Sequence, residues 1–110
     1  MKVYIVGLGL IGGSLALDMQ RLYENAVIVG IDSNEHHLNE AISLGLIHQK
    51  GNLENDIDGD FVILAVPVDV AVVLLPKILD KISENTIVID VLLKNQFLNK
   101  WKIIPNEAIF

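Results

Sequence analysis

The sequence predicts an α/β fold in which a doubly wound parallel sheet of about six strands is covered by helices on both faces. Short apolar runs alternate with helix-like segments over short connections, as in parallel sheets with crossover helices. Hydrophobic residues make up 52% of the chain, and its mean hydropathy is +0.49. Such values fit strands that are buried on both faces. The 110 residues are expected to form a single domain, residues 1–110.

The predicted elements follow one another in chain order. Strands are predicted before residue 7, at 26–31, directly after 45–48, and at 60–65, 86–91 and 106–110. Helices are predicted at 10–23, from 33 or 34 to 44, at 68–82 with a break at Pro76, and at 94–102. The apolar face of the first helix is expected to contain Ile11, Leu15 and either Met19 or Leu22. Ser33 or Asn34 is expected to cap the second helix, and Gly45 to end it in a left-handed conformation.

The most informative motif is the glycine-rich segment Gly7-Leu8-Gly9-Leu10-Ile11-Gly12, which lies between the first strand and the first helix. Gly7 permits a sharp turn, Gly9 lets a ligand approach the backbone, and Gly12 lets the helix pack closely on the strand. The amides at the start of the helix suit a pyrophosphate. A tight structural turn is the alternative interpretation, but the strand before and the helix after favour a Rossmann-type dinucleotide site.

Asp32 follows the second predicted strand, 25 residues after Gly7. Its carboxylate is expected to accept hydrogen bonds from the adenosine ribose hydroxyls, although it could instead cap the strand end. A carboxylate there repels a 2′-phosphate, and neither Ser33 nor Asn34 supplies a compensating cation. The sequence therefore predicts NAD as the cofactor, with NADP disfavoured.

Charge and composition limit the other classes of function. The formal net charge of −6 argues against binding to nucleic acid or to an anionic membrane surface. The sequence has no cysteine, which excludes disulfides and thiolate chemistry. The first strand begins at once, so no signal peptide and a cytoplasmic location are expected. Residues 61–79 approach the length of a membrane span, but Pro67, Asp69 and Pro76 favour a buried strand, a loop and an apolar helix.

Other candidate chemistry is sparse. His36, His37 and His48 lack a metal-ligand spacing and are predicted to have surface or capping roles. The alternating acids Glu54, Asp56, Asp58 and Asp60 lack the glycine and closing glutamate of an EF-hand and are interpreted as a solvated turn. Ser14 is expected to bond the backbone, since no histidine or acid motif accompanies it. No catalytic and no metal-binding residue is predicted.

Four segments together carry a more specific resemblance: residues 6–16, Gly30-Ile31-Asp32, residues 62–68 and Val88-Ile89-Asp90-Val91. They resemble the N-terminal nucleotide-binding domain of the prephenate and arogenate dehydrogenases. The resemblance implies oxidative decarboxylation in tyrosine biosynthesis, in which hydride leaves the ring carbon that bears the hydroxyl. It also implies that Ala65, Val66 and Pro67 line the cofactor and that Val70 lies near the adenine. The full expected cofactor site is Gly7, Leu8, Gly9, Leu10, Ile11, Gly12, Asp32, Ser33, Ala65, Val66, Pro67 and Val70.

The sequence departs from the family pattern after Val91. The family reads Gly-Ser-x-Lys there, whereas this chain reads Leu92-Leu93-Lys94, one residue shorter. The family's His-Pro-x-x-Gly motif and its helical substrate and dimerisation domain are also missing from the 110 residues. The isolated chain is therefore expected to be catalytically inactive, and prephenate or arogenate to be a substrate only of a full-length relative.

Two other functions stay open, namely a stand-alone NAD-sensing regulatory module and the cofactor domain of another hydroxy-acid or imine dehydrogenase. The high apolar content also predicts a homo-oligomer formed through exposed apolar faces. Its candidate contacts are Leu92, Leu93, Phe97 and Trp101.

Overall fold

The computed structural model describes residues 1–91, which alternate five strands with three helices. In chain order these are β1 (Lys2–Val6), α1 (Leu10–Leu22), β2 (Val27–Ile31), α2 (Glu35–Ser43), β3 (Gln49–Lys50), β4 (Phe61–Leu64), α3 (Val68–Lys81) and β5 (Ile87–Asp90). The helix expected at 94–102, the strand expected at 106–110 and the candidate contacts from Leu92 onward lie outside the described residues.

All five strands are parallel and lie in the order β3-β2-β1-β4-β5. The chain winds outward from β1 to β3 and then returns to place β4 on the other side of β1. The carboxyl ends of β1 and β4 therefore diverge into connections on opposite faces of the sheet. In open α/β sheets this switch point is where ligands bind.

Alternate residues of β1, β2 and β4 enter two separate hydrophobic clusters, one on each face of the sheet. In β1, Val3 and Ile5 pack with α1 and α2, whereas Tyr4 and Val6 pack with α3. Val3 and Ile5 are completely buried. The sheet is thus covered on both faces, which confirms the predicted doubly wound α/β class.

The predicted buried face of α1 is partly wrong. Ile11 is 46% exposed, whereas Leu15 packs against the core as predicted. Of the two alternatives, Met19 packs against the core and Leu22 is 72% exposed. The fully buried positions are the small residues Gly12, Gly13 and Ala16. The helix approaches the sheet and the preceding turn so closely that small residues occupy the contact.

The predicted break of α3 at Pro76 is also wrong, because α3 continues through Pro76 to Lys81. Proline has no N–H to donate to the Val72 carbonyl. Val72 is 44% exposed, so solvent can reach the backbone on that side. Leu75 and Ile78, on either side of the proline, are buried and hold the helix against the core.

The termini of α2 follow the prediction. Asn34 is the N-cap, and its side-chain oxygen accepts hydrogen bonds from the N–H groups of His36 at 2.9 Å and His37 at 3.4 Å. Gly45 has a φ of +72° directly after the helix. Within residues 1–91, none of the helices has the length and apolarity needed to cross a bilayer.

Candidate functional site

A cavity of about 460 Å³ opens at the carboxyl ends of β1 and β2, between the β3–β4 connection and α3. Its lining residues are Val6, Gly7, Ile31, Asp32, Ser33, Gly51, Asn52, Leu53, Glu54, Val66, Val70, Leu74 and Lys77. Most of the wall is apolar, and Asp32 contributes a carboxylate at one side. The cavity thus offers an apolar slot beside a fixed negative charge.

Gly7 forms the turn that leads out of β1. Its φ is +97°, a conformation that residues with a side chain rarely adopt. A Cβ at Gly7 would lie 2.5 Å from the Ala65 carbonyl oxygen and 2.7 Å from a Val66 methyl carbon. The turn therefore lies in close contact with the residues that follow β4, and only glycine fits at this position.

Gly9 and Gly12 have different surroundings, as the motif predicts. Gly9 is the N-cap residue of α1, and a Cβ built on it would meet no atom within 4 Å. A Cβ on Gly12 would lie 2.9 Å from the Gly7 carbonyl carbon and would overlap its oxygen. Gly12 thus permits close packing of the helix on the turn, whereas Gly9 borders open space.

The N-terminus of α1 faces that open space. Among the described residues, no side chain caps this helix. The first backbone N–H groups of a helix have no partner inside the helix, and they carry the positive end of its dipole. The segment Leu10–Gly12 therefore presents donors that suit an anionic group.

Asp32 connects the tip of β2 to the glycine-rich turn. Its carboxylate accepts hydrogen bonds from the N–H groups of Leu8 and Asn34, both at 2.8 Å. Partial burial acts to raise the pKa of Asp32, but these hydrogen bonds and the nearby His37 outweigh it, so that the pKa lies below its ordinary value. Asp32 is thus held as a carboxylate, and its side chain keeps 12% of its surface exposed.

His37 is a residue able to carry a positive charge that the structure places next to Asp32, in addition to the neighbouring residues Ser33 and Asn34. Its Nδ1 is 3.3 Å from the same carboxylate oxygen that Leu8 contacts. The ring becomes a cation when it is protonated. Inspection of the residues next to Asp32 misses this contact, because the first turn of α2 brings residue 37 back over the strand end. The signal in the sequence is the cap at Asn34, which fixes where that turn begins.

The other predicted site residues divide into groups. Gly7, Asp32, Ser33, Val66 and Val70 line the cavity described above. Leu8, Gly9 and Leu10 line a second cavity of about 450 Å³ between α1 and α2, together with Ser14, His37 and Glu40. Ile11, Gly12, Ala65 and Pro67 line neither cavity. Gly12 and Ala65 pack around the Gly7 turn, and Pro67 is the N-cap of α3.

Sequence reasoning missed part of the first cavity. Asn52, Leu53 and Glu54 form one wall, although Glu54 alone is interpreted from the sequence, as part of a solvated turn. Lys77 extends the helical series of Val70 and Leu74, and that spacing could have identified it. Within residues 1–91, histidines and acids form no group of three or more suited to a metal ion.

Comparison with known proteins agrees with this geometry. The family model described as prephenate dehydrogenase, nucleotide-binding domain, matches residues 15–101. That match begins after the glycine-rich turn, so the motif at residues 7–12 supports a dinucleotide-binding domain independently of the family model.

Among individual proteins, prephenate dehydrogenase of Lactococcus lactis is 40% identical over 78 residues, which are 70% of this chain and 22% of that protein. A crystal structure of prephenate dehydrogenase from A. aeolicus with hydroxyphenyl propionate and NAD+ has a TM-score of 0.77 and 32% identity, covering 82% of this chain and 32% of that one. Synechocystis arogenate dehydrogenase has a TM-score of 0.76 and 27% identity, covering 96% and 36%.

The chain spans about a quarter of the length of the curated relatives that it matches. The family model, by contrast, covers residues 15–101, which is most of the chain. The chain therefore belongs to the prephenate dehydrogenase nucleotide-binding domain family.

Proposed function

We propose that this chain binds NAD as the cofactor domain of a dehydrogenase that decarboxylates prephenate or arogenate oxidatively. One observation carries the proposal: the cavity at the carboxyl ends of β1 and β2 holds an ionised Asp32 beside a glycine-rich turn whose helix N-terminus is uncapped. The family match supports it, as does the NAD+ bound in the A. aeolicus relative.

The described residues fit two parts of the dinucleotide, the pyrophosphate and the adenosine. The pyrophosphate would lie on the backbone of residues 8–12, where Gly9 leaves room and the helix dipole favours an anion. The adenosine would occupy the first cavity, with Asp32 and Ser33 at the ribose and Val66 and Val70 against the base. When bound, NAD supplies the hydride acceptor. None of the described residues is assigned a catalytic role, and the chemical step is proposed only for the whole protein.

Asp32 is also the basis for the choice of NAD. Two negative groups at the 2′ position would repel each other in a partly buried site, where screening by water is reduced. The expected preference is about tenfold, which corresponds to about 1.4 kcal/mol.

Calorimetric titration with NAD and NADP tests both parts. Gly9→Ala is expected to weaken NAD binding by about tenfold or more, since the methyl group would enter the space proposed for the pyrophosphate. Gly13→Ala is the matched control on the same helix, because its Cβ would lie 3.4 Å from a Leu46 methyl carbon, an ordinary contact distance. Equal NAD binding by the two variants would contradict the pyrophosphate site.

The preference for NAD is tested with Asp32→Asn, which is expected to narrow the difference between the two cofactors. Asp80→Asn removes the same charge from an exposed position on α3 and serves as the control. Equal or tighter NADP binding by the unmodified chain would overturn the preference.

We also propose that the protein forms a homo-oligomer through apolar surface. In its support, Leu22, Tyr23, Leu44 and Val73 are each between 49% and 72% exposed. Light scattering tests this, and a monodisperse monomer at high concentration would contradict it. The cytoplasmic location and the absence of nucleic-acid and membrane partners, expected from the sequence, stay predictions.

A further inference from the structure

His37 contacts Asp32, the carboxylate that the proposed function places at the ribose, from the side of the second cavity. It is the third residue of α2, and the Asn34 cap holds its N–H at 3.4 Å. Its Nδ1 lies 3.3 Å from Asp32 Oδ2, and its side chain is 45% exposed. The ring is therefore in contact with the carboxylate and still open to protons from solvent.

The two partners respond differently to pH. Asp32 stays ionised, because the N–H groups of Leu8 and Asn34 stabilise its carboxylate. Histidine is the side chain whose ordinary pKa falls between pH 5 and 8. When the ring carries a proton, the net charge of the pair is about 0, and without it the net charge is about −1.

The other charged groups around His37 are few. Glu40, from the same helix, lines the second cavity with it, and His36 lies 3.5 Å from Glu40. Glu35, at the start of α2, is paired with Lys50 of β3 at 2.9 Å. The residues that α1 contributes to this cavity are uncharged. Asp32 is therefore the charged group that His37 contacts directly.

We propose that His37 is a specificity-determining residue that sets the charge presented to the ribose 2′ position. With a neutral ring, Asp32 repels the 2′-phosphate of NADP. With a protonated ring, the imidazolium offsets that repulsion and offers the phosphate a cation, so discrimination against NADP weakens. This inference rests on the proposed binding of NAD at the same site.

The test measures the ratio of the dissociation constants for NADP and NAD at about pH 8 and about pH 5.5, the range in which histidine side chains in general change charge. The 2′-phosphate itself takes up a proton near pH 6, so part of any change belongs to the ligand. His37→Gln keeps a polar side chain without a titratable ring. The change of the ratio with pH in this variant therefore measures the contribution of the ligand phosphate alone. His37→Arg holds a positive charge at both pH values.

In the unmodified chain, the ratio is expected to fall on acidification by about threefold to fivefold more than in His37→Gln, as for a partly exposed ion pair. His37→Arg is expected to have, already at the higher pH, a ratio lower than that of the unmodified chain. Circular dichroism checks that each variant is folded, and the arginine variant tests the proposal by itself at one pH.

Equal pH responses of the unmodified chain and His37→Gln, or an unchanged ratio in His37→Arg, would overturn the role of His37. In that outcome NAD still binds, and the proposed function stands. A chain that binds NAD at neither pH would instead refute the proposed function and this inference with it.

Discussion

Replacing Gly12 by alanine should destabilise the fold strongly, although alanine favours helix more than glycine does. A Cβ at this position would lie 2.9 Å from the Gly7 carbonyl carbon and would overlap the attached oxygen. Both atoms belong to backbone that is itself held in place, since Gly7 N–H donates to the Ile31 carbonyl at 2.8 Å. Relief therefore requires α1 to move away from the turn.

The magnitude follows from what that movement disturbs. Overpacking of a tight core typically costs about 1–3 kcal/mol, and more where backbone must shift. The helix gains up to about 1 kcal/mol from alanine in place of glycine. Because backbone must move here, we expect a net loss of about 2–3 kcal/mol, a large fraction of a typical total stability of about 5–15 kcal/mol. The melting temperature should fall by about 10 °C or more.

The next residue along the helix is the matched control. A Cβ at Gly13 would lie 3.4 Å from a Leu46 methyl carbon, so Gly13→Ala should be neutral or stabilise by up to about 1 kcal/mol. Urea and thermal unfolding followed by circular dichroism would compare the two variants. If Gly12→Ala were as stable as Gly13→Ala, the close contact between α1 and the turn would be wrong.

Two further predictions concern groups outside the cofactor site. His48 Nδ1 accepts a hydrogen bond from the buried Ile28 N–H at 2.9 Å, so His48→Ala should lower the free energy of unfolding by about 1–3 kcal/mol. His48→Asn should restore part of this loss, and equal stability of both variants and the unmodified chain in urea unfolding would refute the role of His48. Asp58 accepts hydrogen bonds from Lys2 at 2.8 Å and Tyr4 at 2.7 Å, which lower its pKa to about 2. The stabilisation that the ionised Asp58 gains from Lys2 and Tyr4 is fully present above the ordinary carboxyl pKa of about 3.9, and it is lost as the pH falls through about 2. Carboxyl titration by NMR should show this midpoint and its return toward the ordinary value in Lys2→Met; an unchanged midpoint would refute the pairing.

The sheet was predictable because hydrophobicity identifies buried strands well. β1, β2 and β4 appear in the sequence as continuous apolar runs, and the structure assigns alternate residues of these runs to the two faces. In α1 the same criterion failed. It selected Ile11 for the core, which is 46% exposed, whereas Gly12 and Ala16 are buried positions of this helix. A count of apolar residues cannot detect a surface whose defining property is small size.

The candidate site was predictable to the extent that it is local in sequence. The turn at Gly7 and the carboxylate at Asp32 follow from spacing, since one turn and one strand position both. The wall at Asn52 and Leu53 and the lysine at Lys77 come from separate segments. Which of their residues meet in one cavity depends on the packing of α3 and the β3–β4 connection, which the sequence alone does not specify.

The hydrogen bond between Asp32 and Leu8 fixes the backbone of the candidate site when the domain folds. Ordering a loop at the moment of binding opposes association. Here the Leu8 N–H is already fixed by Asp32 at 2.8 Å, and Gly13 N–H donates to the Gly9 carbonyl at 2.9 Å. The open space beside Gly9 is therefore bordered by backbone that is set in place when the domain folds. A substitution of Asp32 is therefore expected to act twice, because it removes a charge from the proposed ribose position and changes the group that holds the turn on which the pyrophosphate would lie.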